Sequence, residues 1–153
     1  MKFNSFIFED ILVVGQINLK AERKFKLFRN YEVKVFSGND FLFSFYTVTK
    51  YLNQKIFPGE NKVGFNIDIR NQSEVIYDHD IYNIKVERFY PFKKKYGELF
   101  INGEKVGELF SKGKIMRFTL DFVPNESLIM NSEKYLKIAF LILINIADLD
   151  GSE

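Results

Sequence analysis

The chain has 153 residues, enough for one domain with a core of useful size, and its 46% hydrophobic and 17% aromatic content excludes a disordered polypeptide. Twenty-two basic residues stand against twenty acidic ones, so a net charge of +2 gives no whole-molecule attraction to nucleic acid, which is not expected as a partner. The absence of cysteine removes disulfides, thiol catalysis and cysteine zinc sites, while eighteen Phe and eight Tyr with only three Pro and nine Gly favour strands.

In chain order, residues 2–8 and 11–19 read as two strands separated by the acidic pair Glu9 and Asp10. Those carboxylates stand where a secretory signal would need its apolar centre, so a cytoplasmic location is expected. Residues 20–30 form the first basic cluster, in which Arg23, Lys24, Lys26 and Arg29 roughly alternate with apolar groups, as in a strand with one solvated face. Residues 31–36 alternate cleanly, 37–40 read as a turn, and 41–48 complete a hairpin whose second strand is apolar on both faces. A further strand is expected at 51–57, with Pro58, Gly59, Glu60 and Asn61 turning the chain. Residues 63–70 have period two, with Val63, Phe65, Ile67 and Ile69 on one face, and short strands are expected at 74–77 and 81–89.

The only histidine, His79, lies between Asp78 and Asp80. Neighbours on an extended chain point to opposite sides and a metal needs three or more convergent ligands, so this tripeptide reads as a polar turn. The stretch 88–96 follows, in which Arg88, Lys93, Lys94 and Lys95 are bracketed by aromatics including Tyr90 and Phe92. Such a loop suits either solubility or an anionic partner. Residues 97–103 are echoed at 107–113 by a second Gly-Glu-Leu-Phe, and Asn102-Gly103 suits a type I′ turn, so two successive antiparallel hairpins are expected, followed by a last long strand at 114–123.

Residues 132–147 are read as a helix, with Ser132 as N-cap and Glu133 near the positive end. From 138 to 144 every residue is apolar, which leaves no face for solvent, and the segment is too short to cross a bilayer. A helix of this kind needs a container. The expected architecture is therefore mainly β: one domain over 1–153, an antiparallel closed or nearly closed barrel of about 10–12 strands around the C-terminal helix.

This order of elements, a long antiparallel meander with Asn- and Gly-containing hairpins and a terminal hydrophobic helix, resembles the tubby C-terminal-like superfamily, which includes the LURP-one-related proteins and the phospholipid scramblases. The similarity rests on the patterns at 31–36, 65–69, 103–109 and 135–147. It implies a twelve-stranded barrel around a central helix and, in some members, binding of phosphoinositide headgroups.

No nucleophile elbow, phosphate loop, His-Glu-x-x-His or dinucleotide fingerprint is present, so no catalytic residue, metal or cofactor is assigned. The expectation is a small non-enzymatic binding protein that acts through surface loops on a protein partner. An inhibitor or immunity protein is one version, and the Lys-, Phe-, Ile- and Asn-rich composition fits an AT-rich bacterial or phage genome. The alternative is peripheral binding of anionic lipid headgroups. In either case the candidate binding residues are Arg23, Lys24, Lys26, Arg29, Arg88, Tyr90, Phe92, Lys93, Lys94 and Lys95.

Overall fold

A computed structural model of the protein describes residues 2–6, 9–14, 17–25, 31–50, 53–87, 95–114, 117–126 and 131–146. The described residues form twelve strands and one helix: β1 Lys2–Phe6, β2 Glu9–Val14, β3 Ile17–Phe25, β4 Tyr31–Ser37, β5 Asp40–Lys50, β6 Asn53–Asn61, β7 Ile67–Asn71, β8 Glu74–Tyr77, β9 Asp80–Val86, β10 Lys95–Ile101, β11 Glu104–Lys114, β12 Arg117–Pro124 and α1 Ser132–Ile146. All neighbours pair antiparallel, in the order β6-β5-β4-β3-β2-β1-β12-β11-β10-β9-β8-β7. The first and last strands of the chain thus meet at the middle of the sheet, with Phe3 opposite Leu120.

Period-two alternation explains most of these strands. In β4, Tyr31, Val33 and Val35 are buried and in β5 Phe43, Phe45 and Thr47 are, while Tyr46 and Val48 point outward. The same inner face continues through Ile56, Ile69, Val75, Ile84, Leu99, Val106 and Phe122, which form one hydrophobic cluster with the helix. Residues 138–144 of α1 are at most 3% exposed, as a segment with no polar face requires. Phe140 stacks on Phe43 with ring centroids 4.9 Å apart, and the buried Tyr77 donates its hydroxyl to the Lys137 carbonyl at 2.7 Å.

Several local expectations are corrected. Residues 11–19 are not one strand: Val14 pairs with Ile17, so β2 and β3 form a hairpin, and Glu9 and Asp10 lie inside β2 opposite Glu22 and Ala21. Residues 58–61 do not turn the chain, because a bulge between Phe43 and Phe45 lets β6 run on to Asn61. Ser44 is buried there and its hydroxyl accepts from the Glu60 N–H at 2.9 Å, while Gly59 is required because a Cβ would lie 2.4 Å from Ser44 Oγ. Residues 62–66 form a bend, so the strand expected at 63–70 starts only at Ile67. The helix cap is Asn131, whose Oδ1 accepts from the Lys134 N–H at 2.8 Å, and not Ser132.

No backbone ladder joins β6 to β7, so the hydrogen-bonded sheet is open along one seam. The chain crosses that seam through the 62–66 bend, which Asn61 fastens by donating its side-chain amide to the Phe65 carbonyl at 2.8 Å. Phe65 then packs inward, 5.6 Å from the Tyr77 ring and 6.3 Å from the Phe140 ring.

Candidate functional site

The candidate binding residues read from the sequence divide into three groups. Lys26, Arg29, Arg88, Tyr90, Phe92, Lys93 and Lys94 lie outside the described residues, and Arg23 is described only in its β3 backbone, opposite Val33. Lys24 is exposed on β3, opposite Glu32. Lys95 is not a free cation: its Nζ lies 2.6 Å from Glu98 Oε1 and 2.8 Å from Glu108 Oε1, and Lys105 Nζ meets the same two carboxylates at 2.7 and 2.6 Å. The result is a ring of alternating charge across β10 and β11. Hydrogen bonds from Lys105 and then Lys95 hold the Glu98 carboxyl down at about 2 and lower Glu108 likewise, while both lysines are raised, chiefly by their bonds to Glu108. A neutralised ring leaves Lys95 little charge to offer an anionic ligand.

His79 sits exposed in the two-residue turn between β8 and β9, beside Asp78 in a positive-φ conformation of 55°. Asp78 uses its carboxylate locally, accepting from the Asn66 N–H at 3.0 Å. No group of three or more metal-ligating side chains converges among the described residues. A cavity of about 540 Å³ lies at the start of α1, between Val63, Phe65, Ser132, Glu133 and Leu136. The neighbouring Lys137 is itself buried and occupied, with Nζ 2.6 Å from Glu133 Oε1 and 4.8 Å from the Phe65 ring centroid.

The seam is the more informative place. A cleft of about 480 Å³ opens between residues 54–58 of β6 and 68–72 on the β7 side. Strand alternation sorts its walls: Ile56 and Ile69 are buried toward the core, whereas Lys55, Phe57, Asp68 and Arg70 are exposed on the outer face. Gln54 also lines the cleft, and its Oε1 is a buried polar atom without a hydrogen-bond partner among the described residues. At the far end the helix reaches in: Asn145 donates its amide to the Gln72 carbonyl at 3.1 Å and accepts from the Tyr96 hydroxyl at 2.6 Å.

Beside the seam lies an outward apolar surface. Tyr46 and Phe57 are cross-strand partners in β5 and β6, their rings stack at 5.4 Å, and each is 39% exposed, with Val48 at 37% next along β5. Large side chains at outward positions of a half-wet sheet are normally polar. No motif marks this surface in the sequence; its only signal there is that Tyr46, Val48 and Phe57 are apolar at outward positions of strands already apolar on their inner face. Among the described residues no helix is long and apolar enough to cross a membrane. Comparison with protein-family models, with curated proteins and with solved structures finds no match.

Proposed function

We propose that the protein is a small non-enzymatic binding protein that docks another protein through the outer face of β5 and β6 and the adjoining seam. The observation that carries the reading is the exposed Tyr46–Phe57 stack with Val48 beside it. Aromatic anchors with an apolar neighbour, next to a polar margin formed here by Lys55, Asp68 and Arg70, have the composition of a protein-contact patch. An inhibitor or immunity protein acting on a toxin or defence enzyme, in a bacterium or its phage, is one concrete form, supported by small size and composition. The contact is placed here rather than at Lys95 because Lys95 is committed to Glu98 and Glu108.

The same proposal takes the sheet as a nearly closed barrel of the tubby-like kind, on the support of the burial of 138–144 and the pairing of β1 with β12. Affinity capture from the source cells tests the function: the wild-type chain retains a specific protein and the Tyr46→Ser/Phe57→Ser variant, folded by circular dichroism, does not. Equal capture by both overturns the proposal. Peripheral binding to anionic lipid is the second reading, favoured by the exposed Lys24 on β3. Flotation with vesicles containing phosphatidylserine, lost in high salt and on Lys24→Glu, would establish it instead.

A further inference from the structure

We propose that the cleft at the β6–β7 seam binds a neutral sugar, a ligand that goes beyond the protein contact above and does not rest on it. The two strands run with Cα atoms within 8 Å of each other yet form no ladder, which leaves no room for a further strand between them. The cleft of about 480 Å³ is therefore a surface trough flanked by side chains, within the size range of small-molecule sites. Its β6 wall is aromatic. Tyr46 covers one face of the Phe57 ring from the β5 side, with the two planes 20° apart, and Phe57 lines the cleft while Tyr46 does not, so the second face of Phe57 is turned to the seam. The face of an aromatic ring is electron-rich and attracts the weakly positive C–H groups that cover one side of a pyranose.

The polar side chains of the trough offer donors and acceptors together. Asp68 gives Oδ2 to Arg70 Nε at 3.2 Å, which leaves its Oδ1 as an acceptor and the terminal amino groups of Arg70 as donors among the described residues. Asn71 Oδ1 is held by the Ser73 N–H at 2.8 Å, so its Nδ2 is the atom left to donate. Gln54 contributes Oε1, buried with no donor among the described residues, a cost that turning the amide toward a donor in the cleft removes. A hydroxyl both donates and accepts, so a polyhydroxylated ligand satisfies every one of these groups.

Charge argues against an ionic occupant. The charged side chains of the cleft are Lys55, Asp68 and Arg70, and Asp68 with Arg70 already forms a pair. An anion drawn to Lys55 and Arg70 meets the Asp68 carboxylate, and a cation drawn to Asp68 meets both of the others. A carboxylate ligand would also leave the acceptors Asp68 Oδ1 and Gln54 Oε1 without donors, and an ammonium would leave Arg70 and Asn71 without acceptors.

The test is a printed array of neutral and acidic glycans probed with the labelled full chain, followed by calorimetric titration of the free sugars from the brightest spots. Neutral glycans should be retained, with Kd between about 10 μM and 1 mM, and about 0.5 M salt should leave the signal unchanged. Phe57→Ala should weaken binding about tenfold or more and Phe57→Trp should restore it. Asn71→Ala should cost about fivefold in affinity at an unchanged melting temperature and, because Asn71 lies outside the Tyr46–Phe57 stack, should keep protein capture intact. Gln54→Leu should lower sugar affinity while leaving the melting temperature unchanged or higher, a split that a purely structural glutamine would not show. No neutral spot above background, or sugar binding indifferent to Phe57→Ala and Asn71→Ala, overturns the proposal. So does binding confined to sulfated or sialylated glycans and lost in salt, which would make the site an anion site, or tighter titration by adenosine than by any neutral sugar, which would assign the Phe57 face to a flat base.

Discussion

Phe140 lies in the middle of the aromatic packing, against Phe43 at 4.9 Å and Phe65 at 6.3 Å, with no exposed surface. Phe140→Ala should cost about 3–5 kcal/mol in denaturant unfolding, because it removes buried area and leaves a hole between helix and sheet. Tyr77→Phe should cost about 1 kcal/mol, since it deletes one buried hydrogen bond, to the Lys137 carbonyl, and keeps the ring in place. The ring of Lys95, Glu98, Lys105 and Glu108 makes a pH prediction. The Glu98 carboxyl is depressed to about 2 in the folded protein, against about 4.3 in an unfolded chain. Its contribution is complete above the unfolded value and is lost as pH falls through the folded one. The melting temperature should therefore drop between those limits, less steeply in the Glu98→Gln/Glu108→Gln variant, and the difference should shrink in high salt because the ring is partly solvated. Residue types announced none of this geometry: Lys95 looked like its neighbours in a basic run until the β10–β11 register set it beside two carboxylates.

At the scale of elements, turn chemistry was the most legible signal. Asn102 and Gly103 both have positive φ, at 52° and 82°, as a type I′ hairpin requires. Asn102 also ties that turn to β9, accepting from the Ile81 N–H at 2.9 Å and donating to Asp80 at 2.8 Å. Gly103→Ala should lower stability by about 1 kcal/mol through backbone strain alone. The helix start is a sharper comparison. Asn131→Ala should cost about 1 kcal/mol in thermal unfolding and Ser132→Ala much less, because the Lys134 N–H is bonded to Asn131. Composition misplaced this cap by one residue since Asn131 and Ser132 are equally good candidates and only the bond distinguishes them. It misread 58–61 for a related reason: Pro and Gly mark a turn in most chains, but here Ser44 takes up the freed Glu60 N–H and lets the strand continue through a bulge.

For the whole molecule, the late apolar segment was the feature that sequence revealed most fully, because seven consecutive residues with no polar face can only be enclosed. The seam was invisible. It arises from a ladder that does not form between two strands, and β6 and β7 carry no composition that separates a free edge from a paired one. A chain ending at residue 130 should keep much of its β circular dichroism but lose cooperative thermal unfolding and bind a hydrophobic dye, since every inner strand would face an empty interior.

The encounter of β1 with β12 has a consequence for synthesis. A ribosome releases both flanks of the sheet before the strand that unites them has emerged, and the greasy rod that fills the interior comes later still. Until both have emerged the nascent sheet has a wet inner surface and an unfilled edge on β1, so its yield in cells should depend on chaperones that shield such surfaces.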